Sequence, residues 1–190
     1  MKLIIASNNK HKIQEIKSIL SGKFDEILSL SEAEIDHETV EDGETFLENS
    51  LKKAREICAI SGFAALADDS GLCVKSLGGA PGVYSARYSG EGANAEKNND
   101  LLIKNLEGIS DREAHFACFV SLVFPDGREI IAEGRVEGEI IDEYRGTHGF
   151  GYDPIFLVRG EKRTLAEMTD EEKNAISHRA NALSNLLKQL

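Results

Sequence analysis

The stretch Phe63-Ala64-Ala65-Leu66-Ala67-Asp68-Asp69-Ser70-Gly71 joins a short apolar run to two adjacent carboxylates and a hydroxyl. Five apolar residues in a row predict a buried strand, and in open α/β sheets ligands bind beyond the carboxyl ends of strands. We therefore expect Asp68 and Asp69 to lie at a strand end. Because side chains alternate across a strand, one carboxylate should face a site while the other braces the neighbouring backbone. A solvated acidic turn is the alternative, since Asp, Ser and Gly are common turn residues.

The start of the chain predicts a second strand that leads directly into a turn. Leu3-Ile4-Ile5-Ala6 is the apolar run, and Ser7-Asn8-Asn9-Lys10-His11-Lys12 follows it. Apolar residues then recur at helical spacing, so Asn8 or Asn9 is expected to cap a helix. A helix N-terminus with two lysines favours an anion such as phosphate, although this turn lacks the glycines of a P-loop. Ordinary capping with solvated lysines is the alternative.

An acidic segment, residues 32–44, precedes a predicted helix over residues 45–61. The segment has little periodicity and predicts a long loop, and such loops in compact domains are often functional. Its carboxylates are candidates to join Asp68 or Asp69 around Mg²⁺, which prefers one or two carboxylates together with substrate phosphates. On the helical wheel Lys53 lies near the apolar face and Lys52 nearly opposite to it, so Lys53 is expected to reach inward.

The second half of the chain predicts a hairpin, a binding loop and three helices. Strands over residues 114–124 and 130–136 flank a Pro-Asp-Gly turn, which is typical of a hairpin. Residues 146–154 interleave three glycines with two aromatic side chains, which favours a platform on which a flat ligand stacks. A plain turn before a strand is the alternative for this loop. Helices are expected over residues 94–106, after a capping box at Thr169, and at the end of the chain.

Composition predicts one soluble domain over residues 1–190. Apolar residues make up 41% and charged residues 29% of the chain, which is ordinary for a globular protein. Lys and Arg number 22 against 33 Asp and Glu, so the net charge of −11 disfavours a nucleic-acid or anionic-membrane partner. An acidic protein that handles phosphates therefore needs a focused basic pocket or a divalent cation.

The cysteines and the hydropathy pattern predict a cytoplasmic protein. Cys58, Cys73 and Cys118 are odd in number, far apart and set among apolar neighbours, which is typical of buried thiols in a reducing compartment. No Cys or His pair has the spacing of a metal site. The N-terminus is too briefly apolar for a signal peptide, and no apolar run is long enough to span a bilayer.

Six segments, in order along nearly the whole chain, resemble motifs of the inosine triphosphate pyrophosphatase family. They are Ser7 to Lys12, Thr45-Phe46-Leu47-Glu48-Asn49-Ser50, Ala67 to Leu72, Leu77 to Tyr88, Phe150-Gly151-Tyr152-Asp153-Pro154 and Ile176-Ser177-His178-Arg179. The resemblance implies a Mg²⁺-dependent homodimer that hydrolyses ITP, dITP and XTP to the monophosphate and pyrophosphate. It also implies an elongated, two-lobed α/β fold with a long mixed central sheet.

The resemblance further implies a role for individual residues. Asp69 would be the catalytic carboxylate that binds Mg²⁺ and serves as base for the attacking water. Lys53, also catalytic, would join the residues that hold the triphosphate. Glu41 would be the second metal ligand, with Glu38 as the alternative. Residues implied to hold the triphosphate or touch substrate are Ser7, Asn8, Asn9, Lys10, His11, Lys12 and Ser70, with Asn9 and Lys12 as main contacts. Residues implied to enclose the base are Phe150, Gly151, Tyr152, Asp153, Lys173, His178 and Arg179.

His148 departs from the family pattern, where Gly is usual. A donor from the His178-Arg179 segment would select a purine 6-carbonyl over the amino group of adenine, but the rejection of guanine does not follow. A nucleotide sensor without turnover is a second hypothesis. An aspartyl-phosphate phosphatase is disfavoured, because that chemistry usually spaces its two carboxylates two residues apart.

Overall fold

The structure is a computed structural model that describes residues 1–190, with six strands in one mixed sheet and five α-helices. The strands are β1 Lys2–Ile5, β2 Glu26–Ser29, β3 Ala64–Val74, β4 Glu113–Val123, β5 Glu129–Ile140 and β6 Phe156–Val158. The helices are α1 Lys10–Ile19, α2 Phe46–Ser61, α3 Ala95–Asn105, α4 Asp170–Ile176 and α5 His178–Leu187. No helix has the length and apolar character needed to cross a membrane.

The sheet has the strand order β2-β1-β3-β4-β5-β6. Strand β1 pairs in parallel with both β2 and β3, whereas β5 and β6 pair antiparallel. The predicted hairpin joins β4 to β5, and its turn is closed by the Phe124 N–H, which donates to the carbonyl oxygen of Arg128 at 2.9 Å. The predicted α/β class with a mixed central sheet is therefore confirmed.

The chain forms two compact units. The first unit contains Met1–Asp69, Cys118–Gly134 and Arg179–Leu190, and the second contains Ser70–Ala117 and Arg135–His178. A single domain over residues 1–190 stays a prediction.

In the first unit, the alternation of side chains along β3 divides the core into two clusters. Leu66 packs with Ile16 of α1 and Leu183 of α5. Ala65 and Ala67 belong to the other cluster, which includes Ile4 of β1 and Ala54 of α2. Residues two apart on a strand share a face. Asp68 therefore continues the face covered by α1 and α5, and Asp69 continues the face covered by α2.

The expected strand end after Ala67 is wrong. Strand β3 continues through both carboxylates to Val74, and Leu72 and Val74 are fully buried in the core of the second unit. The chain can stay in the sheet because hydrogen bonds and ion pairs satisfy the two buried carboxylates. Asp68 and Asp69 thus lie on a rigid strand interior, not on a turn.

Capping fixes the two helices of the first unit that matter for the site. Asn9 caps α1, because its side-chain oxygen accepts from the N–H groups of His11 and Lys12. Thr45 and Glu48 form a capping box at the start of α2, and Gly62 ends that helix in the left-handed region at φ 69°. The acidic segment between β2 and α2 contains neither helix nor strand, so the predicted loop is confirmed.

Candidate active site

The turn between β1 and α1 is held in shape by its own side chains. The Asn9 oxygen lies 3.0 Å from the His11 nitrogen and 3.2 Å from the Lys12 nitrogen. The Ser7 hydroxyl in turn accepts from the Asn9 N–H at 3.2 Å. Asn8 and Lys10 are exposed beside them. The turn thus places a helix N-terminus and two lysines at the end of β1, the arrangement that the sequence predicts.

Asp68 is the centre of a buried charge cluster that consists of Lys12, Glu15, Asp68 and Arg179. Its Oδ2 lies 3.0 Å from the Lys12 ammonium and 3.1 Å from both Nε and Nη2 of Arg179. Arg179 also forms an ion pair with Glu15. Burial alone would raise the pKa of Asp68, but the charges of Lys12, Arg179 and Lys53 outweigh burial and hold that pKa well below its usual range. Asp68 is therefore a permanently ionised carboxylate.

The thiol of Cys118 lies against the same cluster, 3.9 Å from Asp68 Oδ2. Burial and the neighbouring Asp68 charge raise the pKa of Cys118 to about 12. A thiol with so high a pKa is a poor nucleophile and metal ligand. All three cysteines are free, and Cys58 and Cys118 are buried as predicted, whereas Cys73 is half-buried.

Asp69 faces α2 and has different partners. Its Oδ2 accepts a hydrogen bond from Asn49 Nδ2 at 3.0 Å. Burial raises the pKa of Asp69, Glu41 adds to the increase, and the charges of Lys53 and Lys12 do not cancel it. Two adjacent residues thus differ in chemistry, because Asp69 is a stronger base than an ordinary aspartate while Asp68 is a weaker one.

Lys53 reaches inward from α2, as the helical wheel predicts. Its side chain is 12% exposed and pairs with Glu41 at 2.5 Å, whereas the Lys52 side chain is 35% exposed and pairs with Asp42. Burial alone would lower the pKa of Lys53, but Asp68, Asp69 and Glu41 outweigh burial and raise it. Lys53 is therefore a stable cation close to the Asp69 carboxylate.

The residues around Lys53 fit a magnesium ion by their chemistry. Asp69 and Glu41 both offer carboxylate oxygens, the hard ligands that Mg²⁺ takes in small number when substrate phosphates supply the rest. Glu38 and Glu41 are both exposed, and of the two predicted alternatives Glu41 is the one that pairs with Lys53. No group of three or more His, Cys, Asp or Glu side chains forms a ligand cage. The roles of Asp69 and Glu41 as ligands stay predictions.

Asn49 is a residue of this site that the sequence analysis did not assign to it. It is 2% exposed, and its two amide atoms contact Asp69 and the backbone of Gly43. The sequence feature that could have identified Asn49 is its place on the inward face of an amphipathic helix, within the Thr45 to Ser50 motif. We refer to Glu41, Asn49, Lys53 and Asp69 as the Asp69 group.

The second unit contains a cluster that we call the Phe150 platform. It consists of Phe150, Asp153 and Lys173. Asp153 Oδ2 accepts from the Phe150 N–H and from the buried Lys173 ammonium, each at 2.8 Å. Lys173 Nζ also lies 4.5 Å from the centre of the Phe150 ring. A Cβ at Gly149 would lie 2.1 Å from Asp153 Oδ2, so glycine is needed there for the carboxylate to approach. These contacts hold the Phe150 ring on a fixed loop.

The other residues predicted to enclose a base differ in their contacts. Tyr152 is buried in the core, and its hydroxyl donates to the carbonyl of Ser85 at 2.8 Å. The Gly151 carbonyl accepts from Asn99 at 3.1 Å, and His178 stacks on Phe116 at 4.8 Å between ring centres. Their contacts with a base stay predictions.

Three further positions from the sequence analysis are Arg179, Ser70 and His148. Arg179 contributes its guanidinium to the buried charge cluster of the first unit, and its predicted contact with a base stays a prediction. Ser70 is half-buried on β3. His148 is exposed, and its backbone N–H donates to the Ala166 carbonyl at 2.9 Å, so the departure from Gly leaves a well-anchored loop.

The buried charge cluster predicts a pH-dependent loss of stability in Asp68→Asn. The change removes the counter-charge that Lys12 and Arg179 share and leaves Arg179 with Glu15 alone, so the free energy of unfolding should fall by about 3–5 kcal/mol at neutral pH. Because the folded pKa of Asp68 lies below the unfolded value, its carboxylate stabilises the fold above that unfolded pKa, and this contribution is lost as pH falls. Urea unfolding measured across pH should give a constant gap from the parent protein above about pH 5, which narrows below about pH 4.

Asp42→Asn is the matched control, since it removes an exposed carboxylate that pairs with Lys52 in the same unit. It should change the unfolding free energy little at any pH. Equal losses in the two variants, or a gap for Asp68→Asn that grows toward low pH, would contradict the account of the cluster.

Comparison with known proteins identifies the family. Residues 3–189 match the model of the Ham1 family. A dITP/XTP pyrophosphatase of Clostridium perfringens is 51% identical, with 100% of this chain and 97% of the relative covered, and that of Bacillus subtilis is 44% identical, with 98% and 96% covered. The solved structure of a HAM1 protein from Coxiella burnetii has a TM-score of 0.90 at 39% identity and covers both chains fully. These findings confirm the resemblance that the motifs predict, and the chain belongs to the Ham1 family.

Proposed function

We propose that this protein hydrolyses non-standard purine nucleoside triphosphates, ITP, dITP and XTP, to the monophosphate and pyrophosphate. The observation that carries the proposal is the Asp69 group, in which the carboxylate held by Asn49 lies near the Lys53 cation and Glu41. The names of the relatives, dITP/XTP pyrophosphatases, support the choice of substrate class. Such an enzyme removes these nucleotides from the cellular pool.

The first unit supplies the residues for the triphosphate. A triphosphate carries several negative charges, and an acidic protein needs local positive charge to bind it. The turn Ser7 to Lys12 offers a helix N-terminus with exposed Asn8 and Lys10. Lys12 and Lys53 extend this positive region from α1 and α2. We assign the phosphate contacts to these residues, with Asn9 and Lys12 as the main ones.

Asp69 serves as the general base. The attacking water transfers a proton to the Asp69 carboxylate while its oxygen bonds to the α-phosphorus, and pyrophosphate leaves with the electrons of the broken P–O bond. In the metal-free protein, burial raises the pKa of Asp69 and so favours its acceptance of a proton. Asp68 is unsuited to it, because Lys12 and Arg179 hold its charge.

Asp69 and Glu41 are the residues proposed to hold Mg²⁺. When bound, the ion neutralises charge on the phosphate oxygens and polarises the phosphoryl group. Lys53, whose ammonium pairs with Glu41 in the structure, is assigned to the phosphate oxygens. Glu38 is retained only as a secondary choice, because Glu41 is the one that pairs with Lys53.

The residues assigned to the purine are the Phe150 platform and those that the resemblance implies beside it. The Phe150 platform presents an aromatic ring on which a base can stack, with Gly151, Tyr152, Asp153, Lys173 and His178-Arg179 assigned to the same region of the substrate. A donor from His178 would pair with the 6-carbonyl of hypoxanthine or xanthine and would remain unpaired with adenine. Location in the cytoplasm and a homodimeric state complete the proposal.

A substrate and product assay tests the proposed function. The protein incubated with Mg²⁺ should convert ITP, dITP and XTP to monophosphate and pyrophosphate, and should leave ATP largely intact. Asp69→Asn should lower kcat by about 100- to 10,000-fold, because the general base is lost. Products should be separated by anion-exchange chromatography. Release of orthophosphate in place of pyrophosphate would contradict the proposal.

The same variant separates an enzyme from a nucleotide sensor. A sensor binds ITP without turnover in the parent protein, and Asp69→Asn leaves its function intact. An enzyme turns ITP over in the parent protein and loses turnover in Asp69→Asn, with binding partly preserved. Isothermal titration with a non-hydrolysable ITP analogue, run beside the turnover assay, distinguishes the two hypotheses.

The orientation of α2 predicts different effects of its two lysines. Lys53→Met should lower kcat/KM for ITP by about 100-fold or more, since a positioned charge on the transferring phosphoryl group is lost. Lys52→Met is the matched control, because Lys52 contacts Asp42 and the Val40 carbonyl at the surface. Steady-state kinetics of the two variants should differ strongly, and equal effects would count against the assignment of Lys53.

A further inference from the structure

The amide of Asn49 joins two separate parts of the first unit. Its Nδ2 donates to Asp69 Oδ2 at 3.0 Å, and its Oδ1 accepts from the Gly43 N–H at 2.8 Å. An ionised carboxylate can only accept a hydrogen bond and a backbone N–H can only donate one. The amide therefore fits in one orientation only. One buried side chain of α2 thus holds both β3 and the acidic segment.

Gly43 lies unusually close to α2. A Cβ at this position would lie 2.7 Å from Asn49 Oδ1 and 2.8 Å from Glu48 Cβ, both too short for a real contact. Only a residue without a side chain allows the backbone to approach the amide this closely. Gly43 is two residues from Glu41, so the contact with Asn49 also restricts where Glu41 can lie.

The acidic segment is attached to α2 at two further points, both of which precede Glu41. The Val40 carbonyl accepts from Lys52 at 2.8 Å, and Thr39 donates to Glu56 at 2.7 Å. These contacts are partly or fully exposed, whereas the Asn49 amide is buried. Asn49 is therefore the anchor of the segment that solvent disturbs least.

We propose that Asn49 is a positioning residue for the hydrolysis, which fixes the Asp69 carboxylate and, through Gly43, the segment that carries Glu41. This inference rests on the proposed function of Asp69. A carboxylate rotates readily about its last bond, and a donor on one oxygen fixes its plane. Reactive groups must be held within about 0.5 Å of the productive geometry, so loss of such a donor lowers turnover more than substrate binding.

Two variants of Asn49 separate its two contacts. Asn49→Ala removes both of them. Asn49→Asp has nearly the same shape and keeps an acceptor for the Gly43 N–H, but it replaces the donor to Asp69 by a carboxylate oxygen. Both should lower kcat for dITP by about 10- to 100-fold with little change in KM, the usual cost of losing an outer hydrogen-bond partner of a catalytic group.

Ser50→Ala is the matched control. Ser50 is the next residue on α2, is fully buried, and its hydroxyl pairs with that of Ser121 at 2.8 Å. The change removes a buried hydrogen bond from the same helix without touching the Asp69 group. It should lower the unfolding temperature without lowering kcat.

Amide hydrogen exchange at Gly43 gives a readout that does not depend on activity. The Gly43 N–H should be protected in the parent protein and in Asn49→Asp, and should exchange rapidly in Asn49→Ala. Slow turnover in Asn49→Asp with Gly43 still protected would assign the loss to the Asp69 contact.

Parent-like kcat in both Asn49 variants, with dITP hydrolysed normally by the parent protein, would overturn the positioning role and leave the proposed function standing. A kcat loss in Ser50→Ala as large as that in Asn49→Ala would also overturn it, because general loosening of α2 would then explain both. No pyrophosphate release by the parent protein would instead reject the proposed function.

Discussion

The first unit depends on the neutralisation of one fully buried carboxylate, Asp68. Lys12 from α1 and Arg179 from α5 both place their charges on its Oδ2, within about one hydrogen-bond length. Each of these groups would be costly to bury alone, and together they satisfy one another. The cluster therefore ties the first helix, the central strand and the last helix of the chain to one point. It also fixes Lys12, which the proposed reaction uses to bind phosphate.

The alternation of side chains on β3 then gives the adjacent carboxylates different chemistry. Asp68 faces the two cations and loses its basicity, whereas Asp69 faces α2, where burial raises its pKa. Lys12 and Lys53 each act on both carboxylates and so lower the cost of burying the second one. A residue suited to accept a proton thus lies on a strand interior, where the backbone is rigid. Loops and helices bring the remaining groups to it.

Local patterns predicted much of this arrangement. Asn9 as a helix cap, the Thr45 capping box and the inward direction of Lys53 all follow from spacing and residue type, which act within a few residues. Partners that are distant in sequence could not be predicted in this way. Arg179 contacts Asp68 across 111 residues, and neither residue carries a signal for the other. The interior position of the two aspartates on β3 was missed for the same reason, because the side chains that satisfy them come from other elements.

The central claim is that Asp68 and Asp69 differ in basicity although they are adjacent. It is tested most directly by following the side-chain carboxyl ¹³C resonances of both residues by NMR while the metal-free protein is titrated with acid, with Asp68→Asn and Asp69→Asn used to assign the signals. The account predicts that Asp69 takes up its proton at a pH above the usual range for aspartate and that Asp68 remains ionised until the protein unfolds. Joint titration of the two carboxylates in the ordinary range, or protonation of Asp68 before Asp69, would contradict it.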